Sequence, residues 1–479
     1  MLELNLKPED RQPLYLQVYT TIAAQIRSGQ LPPGSRLPGK RSLAAQLAVA
    51  VNTIDTAYQM LVAEGYLESR QRSGFFVLPY AETLKPPAPV SQLPRAAAAP
   101  TYRFDLSTGS VDTALFPFRT WGRIQKELLY TGGELLAHGH RSGDEDLRRL
   151  IAEYLRAYRG VECDSEQIIV GAGMEYLLGL VAQLLRGSAA AIENPGYARS
   201  RTILENCGVP CRFVDIDESG LSMEGLEASS VDLCYVTPSH HFPTGVTMPV
   251  GRRAQLLQWA AQAPGRYILE DDYDAEFRFD IRPLPSLQGM AGPDGPVIYL
   301  CTFSKSLAPG IRIACMVLPT ALLPRWRERF GTYANTVSRF EQQTLRRFLA
   351  DGHFTRHLAR MRKAYKTRME LLCAALEDTF GKDRITLQGR HTGLHLLLTL
   401  CGAPGEQEMV HAAAREGVGL RGLSEYYLCR RETCPPNTVI IGYASVADGE
   451  IPALAAALQR AWGDFAPPLT CADLKTLIH

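Results

Sequence analysis

No stretch of this 479-residue chain approaches the roughly 18 consecutive apolar residues that a membrane-spanning helix requires. Its first ten residues, MLELNLKPED, have neither the basic n-region nor the apolar h-region of a secretory leader, so the expected location is cytoplasmic. A charge surplus is missing too. With 51 Lys+Arg against 50 Asp+Glu the net charge is +1, so the chain as a whole announces no polyanion partner, although a local basic patch is compatible with that balance. The 11 cysteines include no C-x-x-C pair and no His/Cys cluster at zinc spacing. Cys207/Cys211 and Cys429/Cys434 come nearest, and neither is matched by a second pair. Free thiols in a reducing compartment are therefore expected, and no metal. Internal repeats are absent. What remains is an ordinary globular balance, 46% hydrophobic and 21% charged, in a chain long enough for two or three domains.

Composition shifts clearly once. Residues 81–100 read AETLKPPAPVSQLPRAAAAP, rich in Pro and Ala and poor in large apolar groups, which describes a semi-rigid tether. The expected organisation is a domain over 1–80, a linker over 81–103 and a larger domain over 104–479. In the first domain Leu14, Val18, Ile22 and Ile26 recur at helical spacing and Gly29 closes the helix. SLAAQLAV and NTIDTAYQMLVAEG form two short helical patterns around a tight connection, and YLESRQRSGFFVLP alternates around Ser73-Gly74 as a hairpin does. Helix, helix-turn-helix and two-stranded wing together describe a winged helix-turn-helix. Beyond the linker, apolar runs (QIIVGAG, AAAIENP, VDLCYVTP, RYILEDD, PVIYLCTFS) alternate with helical stretches. That rhythm predicts an α/β domain with a mainly parallel sheet, its ligands gathered beyond the carboxyl ends of the strands.

Six basic residues between positions 27 and 72 (Arg27, Arg36, Lys40, Arg41, Arg70, Arg72) face three acids (Asp55, Glu64, Glu68). Lys40-Arg41 are expected just before the first helix of the pair, Asn52-Thr53 at the start of the second, and Arg70, Arg72 and Ser73-Gly74 on the wing. Basic groups so clustered suit phosphates, which supply most of the affinity in such modules, while short polar side chains at a helix start can reach base edges.

In the larger domain TFSKSLAPGIR puts Lys305 after a strand, with Thr302 and Ser304 three and one residues before it and Arg312 beyond. The amine is placed to form an imine, and the hydroxyls and guanidinium can hold a phosphate. RYILEDDYDAEF ends a buried strand in Asp271-Asp272. An acid aimed at a pyridine nitrogen keeps it protonated and makes the ring an electron sink, and Tyr273 could meet a ring hydroxyl. GAGMEYL opens a helix whose first amides suit a phosphate. ENPGYAR offers Tyr197 for stacking and Arg199 for a carboxylate.

LPPGSRLPGKRSLAAQLAVAVNTIDTAYQMLVAEGYLESRQRSGFFV resembles the GntR-type DNA-binding domain over nearly its whole length, with Leu37-Pro38, Arg41, Leu43-Ala44, Asn52-Thr53 and the Ala63–Leu67 run among the matches. Ala50-Val51 stand where that family usually has Ser-Arg, and Gly39 where it has Ser, so its operator does not transfer. From 104 to 465 the order of GAGME, ENPGY, TPSHHFPTG, EDDYDAEF and TFSKSLAPGIR is similar to the fold-type I pyridoxal-phosphate aminotransferases. The resemblance implies an α/β fold with a mainly parallel central sheet and a small C-terminal α/β subdomain. It also implies pyridoxal 5'-phosphate held as an internal aldimine on Lys305, with Asp271 on the pyridine nitrogen, Tyr273 on the ring hydroxyl and Tyr197 stacked on the ring. The phosphate cup would comprise Gly173, Met174, Glu175, Thr302, Ser304 and Arg312. Asp272 remains an alternative to Asp271.

Both halves in this order resemble the MocR/GabR family of GntR-type regulators, whose members usually form head-to-tail homodimers with the aminotransferase-like domain as sensor. Departures bear on turnover. Phe242 replaces the asparagine of the aminotransferase NPTG motif, Ile440 (in VIIGYA) stands where the substrate-carboxylate arginine belongs, and His138 replaces a tyrosine that reaches the partner's phosphate. Arg199 and Arg421 are the remaining candidates for an effector carboxylate. The resemblance thus implies a DNA-binding regulator in which an amine or amino acid forms an external aldimine and changes operator binding. Its alternatives are a sensor of pyridoxal phosphate itself and a working aminotransferase.

Overall fold

The structure, a computed structural model, describes residues 12–79, 100–279 and 284–465, together with Leu4, Leu6 and Lys7. Residues 81–99 of the expected linker lie outside them. By its internal contacts the chain divides into two compact units, Met1–Ala99 and Pro100–His479.

The smaller unit orders helix α1 (Leu14–Arg27), α2 (Lys40–Leu47), α3 (Val51–Ala63) and an antiparallel hairpin of β1 (Leu67–Arg70) and β2 (Gly74–Val77). Val18, Ile22 and Ile26 of α1 are buried against Leu43, Ile54, Tyr58 and Leu61. Each large aliphatic so buried stabilises by roughly 1.5–3 kcal/mol. The Tyr58 hydroxyl donates to the Pro38 carbonyl at 3.0 Å, pinning α3 to the segment before α2. Gly29 has φ +80°, the left-handed geometry that ends α1. Two boundaries differ from expectation. Lys40-Arg41 open α2 rather than precede it, because Gly39 in extended geometry is its N-cap, and α3 begins at Val51, one residue before Asn52.

The larger unit is built on an eight-stranded sheet in the order Ile168–Gly171, Ala314–Val317, Val297–Thr302, Tyr267–Asp272, Leu233–Val236, Ala190–Asn194, Cys211–Asp217, Gly220–Leu221. The four pairings from Val297–Thr302 through Cys211–Asp217 are parallel, and the outer ones antiparallel. Central strands are buried on both faces. Ile268 joins one apolar cluster and Leu269, its neighbour in sequence, joins another. A 28-residue helix, His353–Phe380, leads to a four-stranded antiparallel sheet ordered Ile385–Gln388, His395–Leu400, Thr438–Gly442, Arg421–Gly422.

The free-thiol expectation fails at Cys301 and Cys315. They are register partners on adjacent antiparallel strands, with Cα atoms 5.4 Å apart, and are joined in a disulfide. Such partners project their Cβ atoms to the same face, which sequence spacing alone does not reveal. Among the described residues no helix is long and apolar enough to cross a membrane.

Candidate functional site

Strand direction places the chemistry. The carboxyl ends of Ile168–Gly171, Ala190–Asn194, Leu233–Val236, Tyr267–Asp272 and Val297–Thr302 share one edge of the sheet, and residues just beyond them line a cavity of about 220 Å³. Lys305, Asp271, Tyr273, Tyr197, Met174, Glu175, Thr302, Ser304, Arg312 and Arg199 all face it.

Lys305 Nζ donates to the Thr108 carbonyl. Burial pulls its amine down to about 8, with Asp274 opposing the shift, so about a tenth of it is neutral and nucleophilic at pH 7. Successive strand residues point to opposite faces, and that separates the two acids. Asp271 turns to the cavity, accepts from the Tyr235 hydroxyl and keeps Oδ1 without a partner. Burial raises it to about 7. Asp272 turns away to Arg159 Nε at 2.6 Å and the Tyr299 hydroxyl at 2.6 Å. Burial would raise it too, but the Arg159 guanidinium wins and holds it below the usual carboxylate range. Of the two acids, Asp271 is the one whose free oxygen belongs to a cavity-lining residue.

Opposite Lys305, Gly173 caps the helix Met174–Leu184, whose leading N–H groups lack intrahelical partners. Gly173 has φ +95°, and a Cβ there would lie 2.3 Å from Arg312 Nη2, so the guanidinium crosses the turn only because the residue is glycine. Arg312 is itself left-handed at φ +55°. Glu175 spans two cations, with Oε2 2.7 Å from Arg312 Nη2 and Oε1 3.0 Å from Arg199 Nη1. Thr302 Oγ1 and Ser304 Oγ are 2.8 Å apart. Tyr197 meets Phe242 edge-on at 5.8 Å, and Arg199 lies over its ring at 5.6 Å.

An acid with one free oxygen, a desolvated amine, helix amides and an arginine over a glycine turn form the set of groups that a pyridinium, an aldehyde and a phosphate require. The residues present fit pyridoxal phosphate. Tyr235, Thr237 and Thr108 belong to the site and were not foreseen. Tyr235 sits one period-two step before Thr237 in VDLCYVTP, a signal that could have found it.

Comparisons with known proteins match both units to known families. Residues 103–458 match the aminotransferase class I and II family, and residues 14–77 match the gntR family of bacterial regulatory proteins. The HTH-type transcriptional regulator YdeL of Bacillus subtilis (strain 168) is 37% identical over 94% of this chain and 97% of its own. The probable rhizopine catabolism regulatory protein MocR of Rhizobium meliloti is 34% identical over 91% of this chain and 90% of its own. This chain belongs to the MocR/GabR family of GntR-type regulators. Its larger unit is also similar to LysN, the α-aminoadipate aminotransferase of Thermus thermophilus complexed with N-(5'-phosphopyridoxyl)-L-leucine, at 25% identity and TM-score 0.66 over 76% of this chain and 92% of that one. As a MocR/GabR member it is a DNA-binding transcriptional regulator with an aminotransferase-like domain.

Against that family background the departures acquire a geometry. Ile440 is 1% exposed, packed with Leu397 and Leu423. Arg421, its register partner across the strands, does not line the cavity and pairs with Glu425 at 2.9 Å. Of the two effector-carboxylate candidates the fold therefore brings only Arg199 to the cavity. His138 is exposed and outside it.

In the regulator's smaller unit Arg36, Arg41, Asn52, Arg70, Arg72 and Ser73 are exposed, and Lys40, Thr53 and Gly74 half-buried. Arg72 and Gly74 lie at the hairpin turn with positive φ. Arg70 stacks on Phe76 at 4.6 Å and pairs with Glu68 at 3.1 Å. Lys40 is tied to Asp55 and lies over the Phe75 ring at 5.0 Å.

Proposed function

We propose that the chain represses or activates transcription according to whether an amine effector has displaced Lys305 from pyridoxal phosphate in the larger unit. The observation that carries this reading is the desolvated Lys305 amine sharing one cavity with Asp271, Tyr273 and Arg312. The cofactor supplies an aldehyde carbon that amines hold reversibly. At that carbon an effector amine would exchange with Lys305, whose freed amine would take up the effector's ammonium proton. Asp271 would hold the pyridine nitrogen, Tyr273 the ring oxygen, Tyr197 the ring face, and the Met174–Leu184 helix start with Thr302, Ser304 and Arg312 the phosphate. Arg199 receives an effector carboxylate by exchanging its pairing with Glu175.

Binding becomes a signal only if the two ligand states differ in their affinity for the operator-competent arrangement of a homodimer. Arg36, Arg41, Asn52, Thr53, Arg70, Arg72 and Ser73-Gly74 contact the DNA in this reading. Sustained transamination is disfavoured because Ile440, packed in an apolar cluster, stands where aminotransferases carry the substrate-carboxylate arginine, which leaves that role to Arg199 alone of the two candidates.

The test is operator affinity of cofactor-free, cofactor-loaded and amine-treated protein, for wild type and Lys305→Ala. The expected result is an amine-dependent change in wild type that Lys305→Ala lacks. An unchanged amine response in a folded Lys305→Ala protein would sink the proposal. If the cofactor alone produces the whole change, the protein senses pyridoxal phosphate instead, and multiple turnovers with amino donors and keto acids would make it an enzyme.

A further inference from the structure

Behind the cavity lies a buried polar group that the function above does not use. His240 and His241 belong to the TPSHHFPTG turn after Leu233–Val236, Asp274 follows Tyr267–Asp272, and His395 opens the strand His395–Leu400. His240, Asp274 and His395 are 2%, 2% and 3% exposed, and their nitrogen and oxygen atoms converge to within 4.8 Å. Three separate segments contribute, so no sequence spacing could announce the group.

The His240 ring is held tightly. Its Nδ1 lies 2.9 Å from Asp274 Oδ2 and 3.0 Å from the Tyr273 hydroxyl oxygen, and its ring centroid is 4.6 Å from that of His395. A Cβ on Gly393 would fall 1.8 Å from His240 Cε1, and Gly393 itself has φ +72°. That glycine is bound in turn by the Tyr443 hydroxyl, which donates to its carbonyl at 2.6 Å. His395 is fixed by its Nε2 against the Pro243 carbonyl at 3.0 Å, and burial holds it well below the usual histidine range. The imidazole of His240 therefore has one seat.

Hydrogen accounting gives that seat a role. A carboxylate oxygen accepts, so the contact with Asp274 puts a hydrogen on His240 Nδ1. The same N–H is within reach of the Tyr273 oxygen. A hydroxyl oxygen that accepts one hydrogen bond donates its own hydrogen more strongly. The Tyr273 hydrogen then has two outlets, the His240 carbonyl at 3.1 Å and whatever oxygen the cavity brings to it.

We propose that His240, oriented by Asp274, is a positioning residue that holds the Tyr273 hydroxyl as a donor toward the ring oxygen of pyridoxal phosphate. The assignment rests on the reading above that this cofactor is bound at Lys305. It explains why a histidine stands three residues after Thr237 in a turn that lacks the aminotransferase asparagine. Donation to the ring oxygen weakens that oxygen's hold on the proton of the Lys305–cofactor nitrogen, so His240 lowers the pH at which that proton is lost. The titratable or charged neighbours are Lys305, His395, His241, Asp271, Arg278 and Tyr443, and the test must change none of them.

The experiment loads the full chain with pyridoxal phosphate and follows the absorbance of the Lys305–cofactor link against pH. His240→Leu is expected to raise the midpoint by roughly half a pH unit, about threefold in proton affinity. His240→Asn places an amide N–H where Nδ1 stood and should restore the wild-type midpoint. His240→Gln reaches the Nε2 position instead and should behave as His240→Leu, which serves if the leucine variant fails to fold. In a Tyr273→Phe background the same His240 substitutions should shift nothing, the non-additivity expected of a residue acting through another. Equal shifts in both backgrounds, or an unshifted midpoint, overturn the assignment while leaving the cofactor reading intact. So does a chelator that strips a metal from wild type and reproduces the shift. A protein with no such absorbance at all overturns both.

Discussion

The two units handle charge in opposite ways. In the smaller one the basic side chains stay at the surface, Arg70 against Glu68 and Lys40 against Asp55, and their pairing is worth ~0–1 kcal/mol. In the larger one Asp271, Asp272, Asp274, Glu193, Glu270 and Glu276 are all buried around one sheet edge. There burial, reinforced by neighbouring carboxylates, lifts Asp271 to about 7 and Glu193 to about 8. Exposed charge suits a polyanion met through solvent, where many weak contacts add and salt screens them. Buried charge suits a small ligand whose own groups complete the pairing. On this ground the smaller unit is suited to DNA and the larger one to a small molecule.

Substitutions can break that contrast. The largest effect is expected from Asp271→Ala, which leaves the Tyr235 hydroxyl without its buried acceptor and a cofactor pyridine nitrogen without its acid. A spectroscopic titration should show pyridoxal phosphate affinity falling about 100-fold, the roughly 3 kcal/mol typical of a lost charged hydrogen bond. Next comes the double change Arg70→Ala/Arg72→Ala on the wing. Filter binding at several salt concentrations should give about tenfold weaker operator binding, with the salt slope reduced by about 2. Cofactor affinity, measured on the same protein, should not follow it.

Lys305 sharpens the contrast through pH. A lysine brought down to about 8 by burial is mostly protonated at pH 7 and mostly neutral at pH 9. Stopped-flow capture of pyridoxal phosphate by cofactor-free protein should therefore speed up about tenfold across that interval and then level off. A rate still climbing at pH 10 would mark an unshifted amine. The smallest effect is expected inside the basic surface itself. Lys40→Ala should weaken operator binding by no more than about twofold, and less than Arg41→Ala, because Lys40 already holds Asp55. Isothermal titration with both variants separates them.

Much of this was legible beforehand. Helical spacing of Val18, Ile22 and Ile26 and the alternation around Ser73-Gly74 are local patterns, and the helix and hairpin follow from them. Apolar runs ending in Asp271, Thr302 and Gly171 pointed to the strand ends, where the candidate residues share a cavity, since parallel strands share one carboxyl edge. Other features involve partners far apart in the chain. Tyr235 with Asp271 and Cys301 with Cys315 are brought together by strand order and register, and Arg159 with Asp272 by the end of the helix Glu145–Arg159 packing on the sheet.

Composition, periodicity and motif order were enough to separate two folding units and to single out Lys305 as the candidate for imine chemistry, because backbone preference and apolar patterning act over a few residues at a time. Packing alone decided which aspartate faces the cavity, why Arg421 is turned out of it, and that His240, Asp274 and His395 meet at all. Those outcomes depend on which face of a strand is buried against which neighbour, and that is set only when distant segments pack together.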